Sequence, residues 1–320
     1  MALQLKQIYK SPLASYIFLG LVGGLSTLAF SPFNIKLIIP FTLATLIYST
    51  VDSRNIIDAC KRTFSWGLGY WMCGTGWLIV SIHYYGNTDI IISSIIILLM
   101  GMLLSAVFIT PFALVRFIQF NQNIFFKSLA IASILIILEF SRFLLLGGFP
   151  WLLPGLVFID TLGQTTIPIF GVYGASYIIY FFSSLIAFSV LEKRKNFLFL
   201  GVSFLLIFIP YQTNQKYESY QGLNLSIIQP SLDPFKKYTA GSDVAIEDTL
   251  LDLTNKSNDA DLIIWPESPL PYLNSDPRMT RLISKLGEEQ TILSGSWQYR
   301  NNKLHNSMTI LRSDQTYLKR

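Results

Sequence analysis

Between Leu13 and Ile209 the sequence falls into seven apolar runs, each about long enough to cross a hydrocarbon layer of roughly 30 Å. Inside lipid a chain must satisfy its own backbone hydrogen bonds, so apolar runs of this length predict membrane helices. They cover Leu13–Phe30, Phe33–Tyr48, Phe64–Ile82, Ile90–Leu114, Phe126–Leu146, Ile167–Leu191 and Phe197–Ile209. The first two are joined tightly at Ser31-Pro32, and the last is short enough to require tilt or local thinning of the bilayer. Charged residues make up 13% of the chain, against about a quarter in soluble proteins. Those charges are concentrated after Gln212, where the composition becomes that of a globular domain. Two parts follow: a helical membrane domain over residues 1–211 and a water-exposed domain over 212–320. Lys6 and Lys10 precede the first run without a cleavage site, which makes that run a retained helix.

The basic residues set the orientation. Lys6 and Lys10, then Arg54, Lys61 and Arg62, then Arg116 and Lys127, then Lys193, Arg194 and Lys195 all fall on one side, while the opposite loops hold little beyond Arg142. By the positive-inside rule the N-terminus is cytoplasmic, and seven crossings deliver the second part to the outer, periplasmic side of a bacterial inner membrane. The net charge of +5 therefore belongs to membrane topology and points to no nucleic acid. Cys60 and Cys73 have no ligand or disulfide spacing, and His83 and His305 are isolated. No metal and no cofactor is expected. Cys60 is placed in a cytoplasmic loop and Cys73 within the third span.

The second part alternates strand-like and helix-like segments. Strands are expected at Leu223–Ile228, Leu262–Trp265, Thr291–Tyr299 and Asn306–Arg312, the last with an optional extension through Thr316–Lys319. Helices are expected at Asp243–Asn255 and Asp276–Glu289, after a tether from Tyr211 to Gln221. That order predicts an α/β layer sandwich, with the last two strands forming a hairpin through Asn301-Asn302. Within it, Pro266 stops the Leu262–Trp265 strand, and Glu267 follows among Trp265, Pro266, Pro269 and Pro271. A carboxylate at the mouth of a sheet in apolar company suits general-base work, although an exposed loop glutamate has the same local sequence.

In the membrane part, Gly67, Gly69, Gly74 and Gly76 read as close-packing positions between helices. Trp66, Trp71, Trp77 and Trp151 read as members of an interfacial aromatic belt. Glu139 and Arg142 are expected to pair, since an ionisable group there is costly alone, with a headgroup contact as the alternative. Lys236 and Lys237 read as a solvated pair, with contact to lipid phosphate as the alternative.

Several short motifs occur in order along residues 12–320: Leu28-Ala29-Phe30-Ser31-Pro32-Phe33, Gly67-Leu68-Gly69-Tyr70-Trp71 through Thr75-Gly76-Trp77-Leu78, Val80-Ser81-Ile82, Gly148-Phe149-Pro150-Trp151, Gln229-Pro230 and Trp265-Pro266-Glu267. Each is weak alone, but together they resemble the apolipoprotein N-acyltransferases of bacterial inner membranes. That resemblance implies a nitrilase-like α-β-β-α sandwich behind the membrane helices and a Glu-Lys-Cys triad. Glu267 would be the catalytic base. Trp151 and Trp265 would help bind substrate, Trp151 at the lipid entrance. The partners implied are a phosphatidylethanolamine-like phospholipid as acyl donor and a diacylated apolipoprotein as acceptor.

The family's lysine lies in a Tyr-Asp-Lys stretch, and this sequence reaches Leu318-Lys319-Arg320 where that stretch should begin. By resemblance, then, the chain is C-terminally truncated. It lacks the nucleophilic cysteine and a last span, Lys319 being the one candidate for the lysine, and it is expected to be inactive alone. Two other classes stay open. A transporter would need polar or broken helices at mid-membrane depth, where few charges are found. A non-catalytic lipid- or partner-binding remnant would use the same surfaces without the chemistry.

Overall fold

The computed structural model describes residues 11–118, 123–145, 147, 149–211, 222–257, 259–288 and 290–313. The chain divides into two compact units, Met1–Asn214 and Gln215–Arg320. The expected tether beyond Tyr211, the Thr316–Lys319 strand and Lys319 itself lie outside the described residues.

The first unit is helical. In chain order it contains α1 (Pro12–Ser26), α2 (Ile38–Val51), α3 (Ile56–Thr75), α4 (Ile90–Phe108), α5 (Ile124–Leu145), α6 (Ile167–Leu191) and α7 (Lys195–Ser203). A helix meets each of the seven predicted runs. Four stretches are long and apolar enough to cross a membrane: Pro12–Ala29, Ile90–Phe117, Ile124–Leu145 and Leu162–Leu191. Ile38–Val51 and Lys195–Phe208 are shorter apolar helices. α6 is interrupted at Gly171, whose φ of 68° only glycine adopts cheaply.

The third span is displaced from its predicted place. Phe64–Ile82 was the expected range, whereas α3 begins at Ile56, where Asn55 Oδ1 accepts from the Asp58 amide at 2.9 Å. Its first turns carry Asp58 and Arg62 as an ion pair four residues apart, 3.0 Å, so polar residues occupy what hydropathy had marked as a loop. Cys60 therefore sits on a helix, not in a loop.

α4 shows what surrounds this unit. It turns Ile91, Ile92, Ile95, Leu99 and Leu103 outward and Ser93, Gly101 and Ser105 inward. Ile97, Leu104 and Phe108 are buried beside them, while the outward face is mostly large and apolar, as on a helix that meets lipid. Inside, α1 packs on α3 through glycines. A methyl group at Gly69 would lie 1.8 Å from the Gly20 carbonyl oxygen, whereas one at Gly20 would meet nothing closer than Ser65 O at 3.4 Å. Gly69→Ala is expected to force the helices apart and cost about 1–3 kcal/mol. Gly20→Ala should be nearly neutral, and thermal unfolding in detergent compares the two.

Trp66 and Trp71 are not belt residues. Each is 1% exposed, and they lie in the core with Phe112, Ile131 and Ile179. Both are covered because α3 has neighbours on several sides, among them α1, α2 and α4, and Trp66 stacks on Tyr70 at 5.0 Å. Trp77 and Trp151 keep the exposure expected of belt members.

The second unit is a small mixed α/β layer. Its strands β1 (Leu225–Ile227), β2 (Leu262–Ile264), β3 (Ile292–Arg300) and β4 (Lys303–Leu311) lie side by side in that order. The first three are parallel and β4 is antiparallel to β3. Asn301 and Asn302 close the predicted hairpin with φ of 50° and 57°, the two left-handed residues that a tight hairpin turn requires. The helices α8 (Ser242–Asn255) and α9 (Pro277–Ile283) connect the parallel strands. α9 ends six residues before the predicted Glu289, giving way to turns at Ser284 and Lys285.

Both helices contribute to one core. Ile246, Leu250, Met279, Leu282 and Ile283 pack with Ile263, Trp265, Ile292 and Leu311 from the sheet. The alternate residues Leu225, Ile227, Ile264, Leu293 and Met308 point to the other face, where Leu225, Ile227 and Met308 are exposed.

Candidate active site

Glu267 leaves the carboxyl end of β2, an interior strand of a parallel set, which is where open α/β sheets place their sites. The ladder ends as the sequence requires. The Trp265 amide donates to Leu293 O at 2.9 Å, and Pro266 then offers only its carbonyl, which accepts from the Gly295 amide at 3.3 Å. Beyond it the chain turns sharply at Ser268, whose φ is 44°. Gly295 makes that turn possible: a methyl group there would lie 2.6 Å from Ser268 N and 2.9 Å from Glu267 Cα. The loop thus crosses directly over β3.

Two side chains distant in sequence hold the loop. Asn306 on β4 donates through Nδ2 to Glu267 Oε1, and its Oδ1 accepts from Ser268 Oγ at 3.1 Å. Lys237 donates through Nζ to the Ser268 carbonyl. Lys237 is therefore engaged beside the candidate base and is not one of a solvated pair. An open hollow of about 320 Å³ lies over this corner, walled by Ile264, Pro266, Leu293, Ser307 and Met308 around Glu267. A carboxylate fixed by an amide, beside an apolar wall, can accept a proton from a group seated in the hollow.

The expectation that prolines hem Glu267 in is corrected. Glu267 is exposed, while Ser268, Pro269 and Leu270 behind it are buried. Its crowding comes from one side, because the outer face of the sheet is uncovered among the described residues. Trp265 is buried at 3% exposure and gives its Nε1–H to Thr254 Oγ1 at 2.9 Å. Its ring anchors β2 to α8 and so positions Glu267 from behind.

The far end of the loop is tied down as well. Tyr272 Oη donates to Glu247 Oε1 at 3.0 Å, and Arg281 Nη2 meets the same carboxylate at 3.0 Å. Burial, then the neighbouring Glu247 charge, pushes the Tyr272 hydroxyl above its ordinary value of 10.0. A raised folded value means stability that is fully present below pH 10 and declines as pH rises above it. The urea midpoint of this unit should therefore fall above pH 10, and less steeply in Tyr272→Phe. On the exposed surface Arg278 holds the Asp276 carboxyl down to about 2.

Trp151, the third expected site residue, belongs to the helical unit. Its ring is exposed and lies against Trp77 at 5.1 Å and Phe149 at 4.9 Å. Buried polar groups fix the turn beneath it. Arg142 Nη1 donates to Trp151 O at 2.9 Å, and Tyr70 Oη donates to the carbonyl of Leu152, a left-handed residue, at 2.6 Å. The predicted pair forms, with Arg142 Nη2 4.0 Å from Glu139 Oε2, which also accepts from Tyr180 Oη.

Asn306, Lys237, Ser268 and Gly295 carry the corner around Glu267 and were not singled out for it from sequence. Gly295 was the available signal, since a glycine inside a strand marks close approach of another backbone.

The family profile described as "Apolipoprotein N-acyltransferase N-terminal domain" matches residues 22–185, half of the chain. Curated relatives with the name apolipoprotein N-acyltransferase include one from Pseudomonas syringae pv. tomato, 29% identical over 78% of this chain and 51% of its own length. One from Photobacterium profundum is 30% identical over 79% of this chain and 49% of its own. One from Coxiella burnetii is 28% identical over 94% of this chain and 64% of its own. The chain thus spans about half to two thirds of the length of these relatives.

Proposed function

The chain belongs to the apolipoprotein N-acyltransferase family, and from that premise we propose that it supplies the membrane bundle and the general base of a lipoprotein N-acyltransferase. The acyl donor is a phosphatidylethanolamine-like phospholipid and the acceptor is the N-terminal amine of a diacylated apolipoprotein. The observation that carries this reading is the placement of Glu267 at the end of β2, held by Asn306 on the open face of the sheet.

The chemistry proceeds in two transfers. Glu267 takes the proton of a cysteine thiol, and the thiolate attacks the ester carbonyl of the phospholipid. The ester C–O bond breaks, the lysophospholipid leaves with the proton returned by Glu267, and the acyl group stays as a thioester. The lipoprotein amine then attacks that thioester and Glu267 accepts an amine proton. The C–S bond breaks and the thiol is restored. A lysine cation steadies each oxyanion. The family pattern supplies the cysteine and the lysine; this sequence has no cysteine after Cys73. The 320-residue polypeptide alone is accordingly expected to make no product.

The open sheet face fits one half of a nitrilase-like α-β-β-α sandwich, its exposed Leu225, Ile227 and Met308 being the residues a second sheet would cover. In this reading α1 to α7 each cross the inner membrane, and the second unit faces the periplasm. In a background with Cys60 and Cys73 replaced by serine, a membrane-impermeant thiol reagent should label Asn274→Cys in intact cells. It should label Lys193→Cys only after lysis, and the opposite pattern would reverse the topology. Activity is tested in a chimera whose first 313 residues replace the matching part of the Pseudomonas syringae relative. Purified with phospholipid and a diacylated lipopeptide, it should yield the triacylated product by mass spectrometry. A folded chimera without product would leave the non-catalytic reading.

A further inference from the structure

The interior of the helical unit contains a cavity of about 40 Å³, lined among others by Trp66, Tyr70, Trp71, Glu139, Arg142 and Tyr180. Three polar atoms on its lining residues have no hydrogen-bond partner: Trp66 Nε1, Trp71 Nε1 and Glu139 Oε1. The residues that carry them are 1%, 1% and 4% exposed. Two are donors only and the third is a carboxylate oxygen that accepts. Leaving a buried donor or acceptor unpaired is costly, and three on residues that line one cavity point to a shared ligand with the opposite capacities.

We propose that this cavity is a built hydration site, in which one or two water molecules accept from the Trp66 and Trp71 indole N–H groups and donate to Glu139 Oε1. The volume suits that occupant, since a water needs roughly 10–15 Å³ measured in this way. An anion would meet the Glu139 carboxylate, and a lipid headgroup or acyl chain is far too large. A water also has what the three atoms require, two acceptor sites and two donors. Of the neighbouring groups, Tyr180 is given to Glu139 Oε2, Tyr70 to Leu152 O and Arg142 Nη1 to Trp151 O, and the Ser176 hydroxyl also reaches the Glu139 carboxyl. The water would complete a polar seam from α3 to α5, through Glu139 and Arg142, to the turn that carries Trp151.

The test is nuclear magnetic resonance on the full chain in lipid nanodiscs with ¹⁵N-labelled tryptophan. Trp66→Phe and Trp71→Phe assign the two indole signals. Both indole N–H groups should show cross-relaxation with water of the sign given by a long-lived bound molecule. Exchanging hydroxyl protons of Tyr70, Tyr180 or Ser176 could imitate that signal, so it must persist in Tyr70→Phe, in Tyr180→Phe and in Ser176→Ala. Indoles that are protected from exchange but show no water contact would make the cavity dry and overturn the proposal. So would a signal lost with any of these hydroxyls, or contact at only one of the two indoles.

Discussion

Arg142→Met is expected to destabilise the helical unit by about 3–5 kcal/mol, the usual cost of removing one partner from a buried ion pair. Arg142 and Glu139 are each 4% exposed, 4.0 Å apart at their charged ends, and Arg142 also holds the Trp151 carbonyl. The substitution leaves a carboxylate buried without its cation and a turn without its donor. Its guanidinium also lies 5.4 Å from the Trp71 ring centre, so lysine at this position keeps the charge but loses both the fork and the stacking. Removing both charges, as Glu139→Leu with Arg142→Met, should recover most of the loss, because no uncompensated charge is then buried. Melting temperatures of the purified chain in detergent make the comparison. An Arg142→Met protein within about 0.5 kcal/mol of wild type would assign the pair no structural role.

Glu267→Gln in the active chimera should lower the rate of acyl transfer by on the order of 10²-fold or more, the range for loss of a general base. Glutamine has the same shape and can still accept from Asn306 Nδ2 through its carbonyl, so the loop over Gly295 is retained. What disappears is the proton acceptor. The loss should fall on kcat with KM little changed, as expected of a group that acts on the proton in flight. A variant that raises KM alone would make Glu267 a binding residue.

Much of this was legible in the sequence because apolar length and strand–turn chemistry are local properties. The helices over Ile90–Phe108 and Ile167–Leu191 lie inside their apolar runs, and Asn301-Asn302 marked the hairpin that the structure closes there. Where charge and cap competed with hydropathy the reading slipped. α3 starts at Ile56 because Asn55 caps it and Asp58 pairs with Arg62, neither of which raises an apolar score. The burial of Trp66 and Trp71 depends on the helices that surround α3, not on the tryptophans themselves. At the site, Trp265-Pro266-Glu267 stood out, but Asn306 is 39 residues from Glu267 and reaches it only through the register of β3 and β4. Contacts set by strand register across two neighbours have no local sequence signature.

In the proposed reaction Glu267 is the base that generates an acyl-thioester. Intact-mass analysis of the chimera after incubation with phospholipid alone, without any acceptor, measures that step directly. Wild-type Glu267 should give a protein heavier by one acyl chain, with the added mass released by hydroxylamine. Glu267→Gln, and the 320-residue chain by itself, should stay at their unmodified masses. An acyl adduct that forms on the Glu267→Gln chimera as fast and as fully as on its parent would contradict that role.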